Sequence, residues 1–221
     1  MMSILVRVWG ERALFTRPEM KTERVSYDVM TPSAARGLLE AILWHPGMQY
    51  SIDKIYVCRP IRFETLRRNE VKAVISARNV STVMKQGAGE LYMVTQNEIQ
   101  QRASLLLRDV EYVIAAHFDM TNRAAPSDSP AKFQEMLKRR LRKGQFFTPP
   151  YFGCREFPAH FELCEEIPHC PEGLRGEQDL GYMLYDMDYS DPENIRPLFF
   201  RAKLKDGVLT VPPTHSEEVI G

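Results

Sequence analysis

The sequence predicts an α+β protein. A ferredoxin-like (RRM-like) domain is expected over residues 1–144, followed by a small antiparallel β domain over 145–221. Three observations carry this. Up to Gly144, apolar runs follow the order strand, helix, strands, strand, helix. Beyond Gly144, Pro149, Pro150, Pro158, Pro168 and Pro171 break the chain into short runs. Near the end, Asp206-Gly207 separates two apolar runs, as a tight hairpin turn does.

The elements follow in order. Ile4 to Trp9 reads as the first strand, and Arg24 to Val29 as a second extended segment. Thr31 or Ser33 can cap a helix that runs from about Ala34 to Leu43, with Pro32 tolerated in its first turn. Leu38, Leu39, Ile42 and Leu43 are its apolar face, and Pro46-Gly47 stops it. Tyr50 to Val57 and Ile61 to Leu66 read as strands. A long insertion or β-hairpin arm is expected near residues 67–90, with a strand resuming at Leu91–Val94. Leu105 to Leu107 leads to an apolar strand over Val110–Phe118. Lys132 to Lys143 reads as a basic helix with Phe133, Met136, Leu137 and Leu141 as its buried stripe. In the last third, Asp179–Met187 reads as a strand, and Leu198–Leu204 with Gly207–Val211 as a hairpin.

Composition narrows the function classes. The chain has 221 residues, 44% hydrophobic and 26% charged, as in an ordinary globular protein. No apolar run approaches the ~20 residues of a membrane span. Met1 to Leu5 leads straight into a strand, which predicts no signal peptide. Cys58, Cys154, Cys164 and Cys170 are sparse, and free thiols in a reducing cytoplasm are the simplest reading. With His160 and His169 they lack a C-x-x-C pair, so no metal site is expected. No phosphate-binding glycine loop, dinucleotide fingerprint or nucleophile elbow occurs, and no cofactor is expected.

The formal net charge is zero, but it is unevenly spread. Residues 1–155 hold 24 Lys and Arg against 15 Asp and Glu, whereas 156–221 hold 5 against 14. Either the basic part presents a local field to nucleic acid, or the two parts neutralise each other in the fold.

Several residues could carry chemistry. His117 ends the strand Glu111–Phe118. A neutral imidazole can take a proton from a ribose 2′-hydroxyl, and an imidazolium can give one to a leaving 5′-oxygen. The alternative is a structural histidine bonded to backbone. His45, in Leu43-Trp44-His45-Pro46, is a further candidate, or else a cap on the helix C-terminus. Trp44 reads as core or as a groove wall. Lys138, Arg139, Arg140, Arg142 and Lys143 place five cations in six positions, suited either to a phosphate backbone or to a solvated face. Arg17, Lys21 and Arg24 flank the loop after the first strand, with Phe15 and Tyr27 near them in sequence. Arg59, Arg62, Arg67 and Arg68 follow in the second strand region. Charge interleaved with aromatic rings suits single-stranded RNA.

Three segments carry a family resemblance. They are Trp9-Gly10-Glu11-Arg12-Ala13-Leu14-Phe15-Thr16-Arg17-Pro18-Glu19-Met20-Lys21, Met30-Thr31-Pro32-Ser33-Ala34-Ala35-Arg36-Gly37, and Gly153-Cys154-Arg155-Glu156 after the basic helix. Together they resemble the CRISPR-associated Cas-five family of the RAMP superfamily, in its subtype I-C form, over most of the chain. The resemblance implies an endoribonuclease that cuts precursor CRISPR RNA in its repeat by metal-independent transesterification. It also implies retention of the 5′ handle in an antiviral surveillance complex with Cas-seven backbone and Cas-eight large subunits, the chain being a monomer when alone. A non-catalytic handle-binding scaffold is the alternative. Of the family's tyrosine, lysine and histidine, the first two positions hold Leu43 and Ala115, and His117 keeps the third. His45 stands where a basic residue is expected. Arg36 and Arg155 join the basic residues above as implied RNA contacts.

Overall fold

Strand β1, Ile4–Ala13, alternates buried and half-buried side chains over its first six residues, the period expected of a strand with one face on a core. The computed structural model describes residues 3–20 and 22–221. After β1, the expected extended segment near Val25 makes only single bridges, Thr16 with Ser26 and Val25 with Leu105. Helix α1, Pro32–Ile42, begins where the capping chemistry puts it. Thr31 Oγ1 accepts the Ala34 N–H at 3.2 Å, and Pro32 occupies the first turn.

β2 is Met48–Val57 and β3 is Phe63–Val71. Helices α2, Ala77–Gln86, and α3, Thr95–Glu98, follow, and neither buries a residue. β4, Ile99–Met120, is 22 residues long and pairs with three strands. Its first part takes β3, with Val71 opposite Ile99 and Phe63 opposite Leu107. Its last part takes β2, with Tyr56 opposite Val113 and Ser51 opposite His117. Asp109, between the two, has φ of 53° and marks where the partner changes. The expected arm is therefore the β3–β4 hairpin with α2 at its tip. The strand expected at Leu91–Val94 is loop. Its residues have strand propensity but no partner to pair with, and Tyr92 is 76% exposed.

Helix α4, Pro130–Lys143, starts at Ser129, whose Oγ accepts the Lys132 N–H at 3.3 Å. It buries Phe133, Leu137 and Leu141. β5 (His160–Cys164), β6 (Glu177–Asp188), β7 (Arg196–Lys205) and β8 (Val208–Thr210) complete the sheet. The β7–β8 hairpin turns at Asp206-Gly207, with φ of 48° and 72°, the positive pair that an Asp-Gly turn supplies.

The α+β class holds, but the later strands do not form a sheet of their own. Among the described residues, all eight strands join one antiparallel sheet in the order β5-β1-β4-β2-β8-β7-β6, with β3 also on β4. β5 pairs with β1, and β8 pairs with β2. The reason is that β1 and β2 each have a free edge whose N–H and C=O groups need partners. Phe200, Ala202, Leu204 and Leu209 then extend the same core.

One face of the central sheet carries Val6, Val8, Ile55, Ile114 and Ala116, packed with Leu39 and Ile42 of α1 and Phe133 and Leu137 of α4. On the opposite face, Arg7, Trp9, Glu111, Val113, Ala115 and His117 alternate with those core residues.

Candidate functional site

His117 lies near the end of β4 on the face away from the helices, 28% exposed in its side chain. Its Nδ1 is 2.7 Å from Asp53 Oδ1. A carboxylate can only accept, so Nδ1 carries the hydrogen and Nε2 is the working nitrogen. Nε2 lies 3.8 Å from Asp119 Oδ2. Asp53 is itself held, since its Oδ2 accepts from Ser3 Oγ at 2.8 Å and its carbonyl accepts from the Val211 N–H at 3.0 Å. His117 is thus oriented by a carboxylate rather than bonded to backbone.

Asp53 reaches His117 because β2 is irregular there. Ile52 opposes Ala116, but Lys54 opposes Ala115, so Asp53 is an extra residue in β2. Such a bulge re-aims side chains. Neither Asp53 nor Lys54 stood out in the sequence. The signal was present in Ile52 and Ile55, both buried though three apart, which unbroken period-2 alternation forbids.

His45 is placed elsewhere. Its ring packs on Phe133 at 4.8 Å, and its Nδ1 accepts the Gly47 N–H at 3.0 Å. Phe133 packs in turn on Phe118, whose side chain leaves β4 on the opposite face from His117. The sheet therefore separates the two imidazoles. Leu43 is buried in the core, and its carbonyl accepts from the Tyr50 hydroxyl at 3.1 Å. Burial pushes the Tyr50 hydroxyl up, well above the usual phenol range. Trp44 is 56% exposed and not core.

The cations sort by what holds them. Arg36 donates to both oxygens of Asp186 and to Glu40. Arg17 stacks on Tyr27 and bonds Asp28, Arg24 faces Glu70 at 3.4 Å, and Arg68 bonds Glu156 and Ser104. Arg140 donates to the Ile42 carbonyl at the end of α1, and Lys138 is 3.7 Å from Glu135. Among the described residues, Arg67, Arg139, Arg142, Lys143 and Arg155 are exposed with no carboxylate in ion-pair reach. Arg139, Arg142 and Lys143 line one shallow groove on α4. Lys21 lies outside the described residues.

Tyr27 is corrected from base-stacking residue to core. It is 1% exposed, and its hydroxyl accepts the Leu184 N–H at 3.2 Å. Phe15 is 3% exposed and packs edge-on against Tyr112 and Phe152. Rings this deep cannot receive a base. The Gly153 segment does approach the β1 end closely. A Cβ on Gly153, at φ of +77°, would lie 2.0 Å from the Leu14 carbonyl oxygen. A groove of about 360 Å³ lies there, between Phe15, Ser33, Gly37 and Tyr151. No cluster of three metal-ligating side chains occurs among the described residues, and no helix among them is long and apolar enough to cross a membrane.

Residues 3–212 match the sequence model of a CRISPR-associated protein family, Cas5. The chain belongs to that family, in its subtype I-C form. A protein of Mannheimia succiniciproducens is 52% identical over 98% of this chain and 97% of its own length, and one of Thermus thermophilus is 40% identical over 99% and 95%. Both relatives are named CRISPR pre-crRNA endoribonuclease Cas5d. Two solved structures share the fold. One is a CRISPR-associated protein (TM-score 0.69, 23% identity, covering 99% of this chain and 96% of that one). The other is the functionally uncharacterized SMU1763c from Streptococcus mutans (TM-score 0.68, 20% identity, covering 99% and 97%). Within this Cas5 chain the matched span takes in His117, the Asp53 bulge, α4 and the Gly153 segment.

Proposed function

We propose that this Cas5 chain is an endoribonuclease that cuts precursor CRISPR RNA within its repeat and then holds the 5′ handle in the surveillance complex. The observation that carries the reading is His117, its Nδ1 anchored on Asp53, which leaves Nε2, 3.8 Å from Asp119 Oδ2, as the nitrogen that can exchange a proton. The names of the two relatives agree with it. The reaction is a metal-independent transesterification. His117 Nε2 takes the 2′-hydroxyl proton as O2′ bonds to the adjacent phosphorus. The P–O5′ bond breaks, and O5′ takes a proton from a second donor. The products are a 2′,3′-cyclic phosphate and a 5′-hydroxyl. Arg139, Arg142 and Lys143 hold the RNA by its phosphates, with Arg155 and Arg67 as further contacts. The strand order β5-β1-β4-β2, with α1 and α4 between strands, supports the expected ferredoxin-like unit, extended past its expected end at Gly144 to take in β5. Cas-seven and Cas-eight subunits are the partners, in the cytoplasm, and the chain is a monomer when alone.

The second reading is a scaffold that binds the handle without cutting. Leu43 and Ala115, both buried and without an ionisable group, favour it. Incubation of the purified protein with its cognate repeat RNA in EDTA separates the two. Cleavage to a cyclic phosphate end that His117→Ala abolishes, with RNA affinity retained, supports the enzyme. Tight binding without cleavage supports the scaffold.

A further inference from the structure

One histidine cannot both take the 2′-hydroxyl proton and supply one to O5′ in a single step, so a second group near His117 is required. Contact puts Asp53 from β2 and Asp119 from β4 beside His117, and the strand register brings Lys54 of β2 to the same face; Gln134 of α4, which lines a cavity with His117, is uncharged. Two carboxylates alone would repel a phosphate, which leaves Lys54 as the cation.

Its placement follows from the register. Lys54 lies directly opposite Ala115, two residues from His117 on the same strand and therefore on the same face. The diagonal neighbour in such a pair is ~7–8 Å away between Cα atoms, within reach of a lysine side chain. Lys54 is exposed, and no carboxylate among the described residues is in ion-pair reach of it. In an unbulged β2, Asp53 would take the place opposite Ala115 and Lys54 would turn toward the core opposite Ile114. The extra residue puts both on the face that carries His117, at the cost of one regular ladder position.

We infer that the Asp53–Lys54 bulge is the other half of the cleavage site: Asp53 positions His117, and Lys54 is a catalytic residue that faces the scissile phosphate and passes a proton to O5′. The inference rests on the endoribonuclease reading above. As O2′ bonds to phosphorus, its proton goes to His117 Nε2. As the P–O5′ bond breaks, an ammonium proton of Lys54 goes to O5′. Solvent then removes the proton from His117 and returns one to Lys54, so nothing is oxidised or reduced. Before that, the ammonium offsets the charge growing on the non-bridging oxygens.

The test is single-turnover cleavage of cognate repeat RNA by the full chain, with RNA affinity measured separately and folding checked by thermal melting. Lys54→Met is expected to slow cutting ~100-fold or more while changing affinity less than about threefold, because the group acts on the transition state. Lys54→Arg should keep the offset of charge but donate poorly, and so recover part of the rate. Asp53→Asn should slow cutting at unchanged affinity and shift the imidazole tautomer of His117, read by nitrogen-15 NMR, which a merely structural role would leave in place. If Lys54→Met cuts at the parental rate while His117→Ala does not cut, the inference falls and the endoribonuclease reading stands. If His117→Ala cuts like the parent, or the parent binds without cutting, that reading falls and the inference with it.

Discussion

Arg36 on α1 grips Asp186 on β6 with two hydrogen bonds of 2.8 Å, Nε to Oδ2 and Nη2 to Oδ1. The two residues are 150 apart in sequence, and the pair fastens the first helix to the far flank of the sheet. Burial disfavours the charge on Arg36, but Asp186 and then Glu40 outweigh it and hold the guanidinium above its usual range. Asp186→Asn leaves a part-buried cation with one partner fewer. It should lower unfolding stability by about 2 kcal/mol in urea titration and leave RNA affinity within twofold. An unchanged midpoint would mean that the pair contributes nothing.

The cations of α4 should separate by function. Replacing Arg139, Arg142 and Lys143 together with alanine should weaken RNA binding and lower the log–log salt slope by roughly 0.7–0.9 per lost phosphate contact. Arg140→Ala should leave the slope in place and instead cost about 1–2 kcal/mol of stability, since Arg140 caps α1 through the Ile42 carbonyl. A slope unmoved by the triple change would make this helix face merely solvated.

Gly153 should tolerate no side chain. A Cβ at 2.0 Å from the Leu14 oxygen forces the loop away from β1, and φ of +77° adds strain. Gly153→Ala should cost at least about 2 kcal/mol by thermal or urea unfolding. A parental melting temperature would show that the loop moves without penalty.

Cys58 should be inert in the native protein. Burial, then Glu111, pushes its thiol up to about 12 from 9.0. At pH 8 the native thiolate is therefore ~1,000-fold scarcer than for a free thiol. Iodoacetamide should leave Cys58 unlabelled at pH 8 and label it in urea, with native reactivity rising only as pH climbs toward 12. Rapid native labelling, read by peptide mass, would contradict this.

Much of the local structure was legible in the chain. Thr31 begins α1 because its hydroxyl satisfies an orphan N–H three residues on. Asp206-Gly207 turns its hairpin because those two residues accept positive φ. The buried stripe of α4 follows from its period, and His117 was picked out by residue type at a strand end. The burial of Tyr27 and Phe15 was not legible, since charged neighbours in sequence say nothing about which way a ring points. Nor were the commitments of Arg36 and Arg140, whose partners are 150 and 98 residues away.

The sequence by itself determined β1, α1, α4 and the β7–β8 hairpin, the cap of α1 and the Asp206-Gly207 turn, and the family, because these rest on hydrogen bonds and periodicities that act within a few residues. Only the tertiary structure decided that eight strands share one sheet and that Asp53 meets His117 across 64 residues. Both outcomes depend on which strand edges find each other and in what register. One extra residue in β2 changes the face that Lys54 presents, and the pairing with β4 that makes it extra is invisible until the chain has folded.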